Sequence, residues 1–365
     1  MRNLAFAITL LFVLTGQAAP IRPADDAQVI ERLPAVARVS KASDPASALR
    51  DAQALLQAGR EAGDPRLAGR ALARLSPWAS DPRAPLDIQI KLADIEQHLH
   101  RFDSATARLK TVVQRDPRQA QAWLTLATLH RVQGRYGESD AACDAVAALR
   151  VQPYAQACKA ENLGLRGEFD AARKTLQDLL ASPVQPSVRS WLWTSLAELE
   201  QRAGRPREAD AAWQRALQSG PDHYASLAGA DFLLDNQRPG EAFQRLRNEP
   251  RSDAVLLRLA IAARQAGLPE AATLTSELRD RFTQAALRTE PGGHERERAM
   301  MALHIDGDAP TALAAARLNA RSQREPLDLL LLARCAIAAG DRQALAEARQ
   351  LARQMGLRDA RLDSL

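Results

Sequence analysis

Cysteine is scarce: Cys143, Cys158 and Cys335 are the three in 365 residues. They are too few for a disulfide framework and show no C-x-x-C spacing, which excludes a zinc ribbon and a thioredoxin-type redox motif. Aromatic residues make up 4% of the chain. Val, Ile, Thr, Tyr and Phe are sparse beside Ala and Leu, so helix formers dominate and a large β-sheet core is not expected. Lysine is almost missing, occurring at Lys41, Lys91, Lys110, Lys159 and Lys174, and arginine carries the positive charge. No run of five basic residues occurs, and acids interleave with the arginines, so the net charge of +5 is spread thinly. A phosphate-tracking surface needs clustered positive charge, and nucleic-acid binding is therefore not expected.

Motifs of catalysis are missing as well. The six histidines contain no H-E-x-x-H, and His98 and His100, two apart, point to different sides of a helix. There is no G-x-S-x-G, no dinucleotide fingerprint and no P-loop; Pro291-Gly292-Gly293 lacks the Lys and Ser/Thr that a phosphate loop requires. Glu198 and Glu200 lie two apart on a helix and diverge. These absences predict no catalytic residue, no metal and no cofactor, and hence no enzyme. Cys143 and Cys158 admit two readings, small buried residues at helix contacts or a bridge in an oxidising compartment.

The N-terminus is patterned for export. Met1, Arg2 and Asn3 precede an apolar run from Leu4 to Leu14, and Thr15-Gly16-Gln17-Ala18 supplies small residues for a signal peptidase. The pattern predicts a signal peptide over residues 1–18 with cleavage after Ala18, and no integral membrane segment after it. The mature protein is expected to be periplasmic or secreted, since the apolar run is shorter than the roughly 20 residues a spanning helix needs. Residues 19–43, with Pro20, Pro23 and Pro34, are expected to form a partly ordered leader.

Beyond the leader the chain repeats itself. Turn residues fall at Gly63, His100, Gly134, Gly167, Gly204, Gln237, Gly267, Gly307 and Gly340, a mean spacing of about 35 residues. Between them lie short amphipathic segments with Ala or another small residue at the crossing points and Leu or an aromatic beside it. No such unit buries its apolar face alone, so neighbours must stack. Pro206, Pro239 and Pro269 mark helix starts, and Asp44-Pro45, Asp81-Pro82 and Asp116-Pro117 mark connections between units.

Two stretches carry the likeness to a known family. In AQAWLTLATLHRVQGRYGES the residues Trp123, Leu126, Ala127, Gly134 and Tyr136 stand at fixed positions. In SWLWTSLAELEQRAGRPREADAAWQRALQSGP the corresponding set is Trp193, Leu196, Ala197, Gly204, Ala209, Ala216 and Pro221. The pattern resembles the tetratricopeptide repeat, over about residues 44–357. It departs at Ser139, which replaces the small Ala after the turn, at Gln237, which replaces Gly, and in the stretched segment from Leu268 to His294. His130 sits at a position that usually holds an aromatic, and packing is its expected role.

The resemblance implies an all-α fold, a right-handed α-solenoid of about nine stacked helix-turn-helix repeats, ending in a C-terminal tail at residues 358–365. It implies that the first helix of each unit lines a concave groove. The exposed family positions then fall on Arg131, Glu161, Trp191, Glu198, Tyr224, Asp231, Arg264 and His304. Trp191 is expected either to stand free as an anchor for a bound peptide, with Trp193 filling the core, or to pack on the neighbouring repeat. The Lys and Asn clamp that some members use for a terminal carboxylate is not visible at these positions. The function expected is an exported scaffold or adaptor that binds a protein or peptide partner in the bacterial envelope. The alternative is a carbohydrate-binding or polysaccharide-export accessory protein, since aromatic and acidic groove residues also suit sugars.

Overall fold

Helix formers with small residues at fixed spacing give a helical array. The structure, a computed structural model, describes residues 44–62, 65–220, 222–286 and 294–365. The expected signal peptide and leader lie outside the described residues. The described residues form paired helices: α1 (Pro45–Ala62) with α2 (Pro65–Leu75), α3 (Leu86–His98) with α4 (Phe102–Arg115), and α5 (Ala120–Val132) with α6 (Tyr136–Ala148). There follow α7 (Tyr154–Leu165) with α8 (Phe169–Ala181), α9 (Pro186–Arg202) with α10 (Pro206–Gln218), and α11 (His223–Asp235) with α12 (Pro239–Leu246). The last pairs are α13 (Asp253–Gln265) with α14 (Ala271–Ala286), α15 (Glu295–Met301) with α16 (Ala309–Asn319), and α17 (Pro326–Ala338) with α18 (Arg342–Met355), before a short α19 (Ala360–Asp363). Each helix packs chiefly on its partner and on the next pair.

The turn inside each pair explains the spacing seen in the sequence. Gly134, Gly167, Gly204, Gly267 and Gly340 have φ between +65° and +89°, the left-handed region where glycine carries no Cβ penalty. The residue after each donates its N–H five residues back: Arg135 to His130 O at 2.7 Å, Arg205 to Glu200 O at 2.9 Å and Leu268 to Ala263 O at 2.9 Å. This bond closes a Schellman cap over the carbonyls that a helix C-terminus leaves unpaired. His100 and Gln237 adopt the same turn at φ 59° and 57° although they carry side chains. At Gly307 a π-helical turn, Ala302–Asp306, inserts one residue, and Asp308 N–H reaches back to Ala302 O at 2.9 Å instead.

Packing follows from the small residues. Ala127, Ala160, Ala197 and Ala230 on the first helices and Ala172, Ala209 and Ala242 on the second are all at most 1% exposed, where the two helices of a unit approach. Ser139 takes the second-helix position in its unit and is fully buried; its hydroxyl donates to Ala127 O at 2.9 Å and accepts from Asn162 Nδ2 at 3.0 Å. A buried hydroxyl with both bonds made is well tolerated, which accounts for this departure from the pattern. His130 is buried, as expected, and Nδ1 accepts from Arg135 Nε at 3.1 Å. The same place holds Glu96 one unit earlier and Glu200 two units later, each buried and paired by a guanidinium, Arg108 at 2.7 Å and Arg173 at 2.5 Å.

Of the two readings for the cysteines, the bridge is the one formed: Cys143 on α6 and Cys158 on α7 are joined with Cα atoms 5.8 Å apart, tying consecutive repeats. Cys335 is free and buried.

The final residues are not a loose tail. Arg358 N–H donates to Leu165 O at 2.9 Å, Leu362 is 3% exposed, and Ala360 stands against Gly204, its Cβ 3.1 Å from where a Cβ on that glycine would be. One unit earlier, Arg324 N–H donates to Val132 O at 2.7 Å, and Gln323 Nε2 meets His100 Nδ1 at 2.8 Å. The C-terminal repeats thus curve back onto the ends of α3, α5, α7 and α9, where helix-terminal carbonyls are available.

Candidate functional site

On a helix, residues seven and eleven apart return to one face. Three first helices present matching stripes: Tyr154, Glu161 and Leu165 on α7, Trp191, Glu198 and Arg202 on α9, and Tyr224, Asp231 and Asp235 on α11. Stacking the repeats turns the stripes into rows, one aromatic and one acidic, on the side of the stack where Arg334 of α17 reaches Asp235.

In the aromatic row the rings of Tyr154 and Trp191 stack with centroids 5.8 Å apart and planes at 24°. Trp191 therefore packs on the neighbouring repeat, the second of the two expected arrangements, while remaining half-buried. Trp193 is also half-buried, with the Arg215 guanidinium 5.7 Å from its ring centroid. Tyr224 is the most open, at 57% exposure.

The acidic row is knitted across repeats. Arg131 Nη1 lies 2.7 Å from Glu161 Oε2, and Ser195 Oγ donates to Glu161 Oε1 at 2.7 Å. Tyr224 Oη donates to Glu198 Oε1 at 2.5 Å. Arg258 grips Asp231 with two bonds of 2.8 and 2.7 Å. The Glu198 carboxyl is held above its ordinary range, first by burial, with Arg202 and the Tyr224 bond pulling the other way and Glu161 and Glu325 pushing up again.

Across from these rows stands α17. Arg334 donates to Asp235 Oδ1 at 2.6 Å across 99 residues of sequence, and Arg361 Nη1 approaches Asp235 Oδ2 at 3.7 Å. Arg296 joins Asp328 at 2.6 Å and Glu325 at 2.5 Å, and these two acids form the capping box of α17. Between α11, α13, the π-turn and α17 lies a cavity of about 230 Å³, lined by Asp231, Asp235, Ile261, Met300, His304 and Arg334 among others. Burial lowers the His304 pKa, Arg334 lowers it further and Asp235 and Asp231 oppose, a balance that favours the neutral imidazole.

Seven of the eight expected residues thus belong to this face or its cavity. Arg264 does not line the cavity, whereas its neighbour Gln265, exposed like it, does. Sequence reasoning missed Tyr154, whose register with Trp191 was available, and Arg258, Arg334 and Arg361, whose partners are too distant in the chain to leave a local signal. Among the described residues no group of three or more His, Cys, Asp or Glu is placed to hold a metal ion. No described helix is long and apolar enough to cross a membrane.

With the geometry in place, comparison with known proteins gives the class. The tetratricopeptide repeat family model matches residues 90–155 and 194–246. No curated protein matches the chain. Among solved structures, the human IFIT1 dimer with PPP-AAAA is 16% identical, with a TM-score of 0.50 over 86% of this chain and 73% of that one. A tetratricopeptide repeat protein from Parabacteroides merdae is 14% identical, with a TM-score of 0.49 over 60% of this chain and 86% of that one. A thermophilic tetratricopeptide repeat protein of Thermus thermophilus is 23% identical, with a TM-score of 0.42 over 52% of this chain and 98% of that one. The chain therefore carries tetratricopeptide repeats over residues 90–155 and 194–246, within an all-helical array of paired helices that runs through the described residues.

Proposed function

We propose that this protein is an exported scaffold that binds an extended protein or peptide segment along its concave face, in the bacterial envelope. The observation that carries the reading is the register of Tyr154, Trp191 and Tyr224 beside Glu161, Glu198 and Asp231 on three successive first helices. Aromatic rings with a polar rim, recurring on successive repeats, supply the kind of anchor that dominates binding energy. Export is supported by the apolar run Leu4 to Leu14 behind Arg2, and an oxidising compartment by the Cys143–Cys158 bridge. No reaction is assigned to the chain.

The test is affinity capture with mass spectrometry from the periplasm, comparing wild type with Trp191→Ala/Tyr224→Ala checked for unchanged helicity. A stoichiometric protein partner retained by wild type and lost by the variant is expected. A partner retained equally by both removes the concave face from the reading. A glycan recovered in place of a protein moves it to the carbohydrate class. The mass of the exported protein tests the leader, and a chain still beginning at Met1 overturns the cleavage.

A further inference from the structure

Six carboxylates on this side are matched to a guanidinium: Glu161 to Arg131, Asp231 to Arg258, Asp235 to Arg334, Glu325 and Asp328 to Arg296, and Asp359 to Arg361. Glu198 is not. Among the described residues no cation lies within 4.0 Å of it, and its printed bond is the hydroxyl of Tyr224. Arg202, one helical turn along α9, is the cation that bears on it most, but that side chain is buried with its Nη2 turned against Gly164 and makes no ion pair with Glu198 within 4.0 Å. Arg361 and Arg296, which face this region from the other wall, are held by Asp359, Asp235, Glu325 and Asp328. The two negative neighbours that bear on Glu198, Glu161 and Glu325, add to its field.

The apolar surroundings are of one kind. Tyr224, directly bonded to the carboxylate, is the most exposed large apolar side chain among the described residues, at 57%. Trp191 stands on the same stripe of α9, two turns before Glu198. The face of an aromatic ring attracts a cation through its quadrupole, and a carboxylate beside it supplies the counter-charge. A single carboxylate with rings suits an organic cation, not a metal ion, which needs several oxygen or nitrogen ligands.

We propose that Trp191, Glu198 and Tyr224 seat a cationic side chain, arginine or lysine, of the extended segment bound on the concave face. This rests on the binding reading given above and names the chemistry of its partner: a segment with a basic residue that docks at α9 and α11. Its long alkyl stem lies along the rings and its charged head meets Glu198.

The test uses the full chain on an array of immobilised dodecapeptides that carry Arg, Lys, Gln or Glu at a fixed central position in a randomised background. Wild type is expected to retain the Arg and Lys sets about tenfold more than the Gln set, the Glu set least. Glu198→Gln is expected to reduce that preference to about twofold or less while still holding Gln peptides, and Tyr224→Phe, which keeps the ring, to preserve it. Glu208→Gln on the exposed side of α10 controls for general charge and is expected to change nothing. Equal retention of all four sets, or a basic preference that survives Glu198→Gln, overturns the cation seat. In that case the groove reading stands if Trp191→Ala/Tyr224→Ala still abolishes retention. An array that retains no chain at all overturns the seat and the peptide-groove reading together.

Discussion

The turn inside each repeat allows a sharp test, because one conformation is occupied by residues with and without a side chain. Gly267 has φ 65°, and nothing lies within 4 Å of the position a Cβ would take. Gly267→Ala therefore reports backbone conformation alone: the left-handed region costs an L-residue about 1–2 kcal/mol, partly offset by the loss of unfolded-state freedom, so about 1 kcal/mol of destabilisation is expected. Gly204→Ala adds an encounter with the Ala360 Cβ at 3.1 Å and is expected to cost about 2 kcal/mol. Gln237 sits at φ 57°, exposed, in the equivalent turn, so Gln237→Gly should have the opposite sign and stabilise by about 1 kcal/mol. Urea unfolding followed by far-UV circular dichroism measures the series, with unchanged slopes as the check that compactness is preserved. Hydrogen exchange at the Arg238 and Leu268 amides, which close these turns, reads the same changes locally. The reasoning is refuted if Gly267→Ala is silent and Gln237→Gly destabilises.

Leu362 is 3% exposed, so Leu362→Ala should cost about 2–4 kcal/mol and speed exchange of the Arg358 amide bonded to Leu165; an amide that exchanges as in wild type contradicts the docked C-terminus. Burial pushes the Cys335 thiol up to about 12, so iodoacetamide at pH 8 should leave it unmodified in the folded protein and label it in urea, which mass spectrometry reads directly. The pKa of His304 is lowered by burial, so the unfolded chain takes up a proton first as pH falls through about 6.5 and stability declines toward the lower folded value. His304→Gln should lessen the decline below pH 7 without abolishing it, since burial lowers His100 and His130 as well, and an unchanged slope in urea titrations across that window refutes the assignment.

Much of this architecture is written locally. A positive-φ turn wants glycine, crossing helices want alanine, and both recur along the chain, so the helix pairs are legible from Gly134, Gly167 and Gly204 and from Ala127, Ala160 and Ala197. Substitutions were readable as departures without their cause: Ser139 became intelligible once Asn162 was seen to bond it. The site was legible as a list of facing positions, since helical period alone puts Trp191 and Glu198 on one stripe. What closes the site was not. Asp235 meets Arg334 because the stack curves, and curvature is the sum of small rotations between repeats that no short stretch encodes. The C-terminal residues 358–365 read as a tail for the same reason, their partner Leu165 lying nearly two hundred residues earlier.

The central claim is that partners bind the concave rows of α7, α9 and α11. Hydrogen exchange by mass spectrometry on the free protein and on its complex with a captured partner tests it most directly. The account predicts new protection in peptides covering residues 154–165, 186–202 and 223–235, with α8, α10 and α12 unchanged. Protection confined to α8, α10 and α12, with the first helices unaffected, would contradict it.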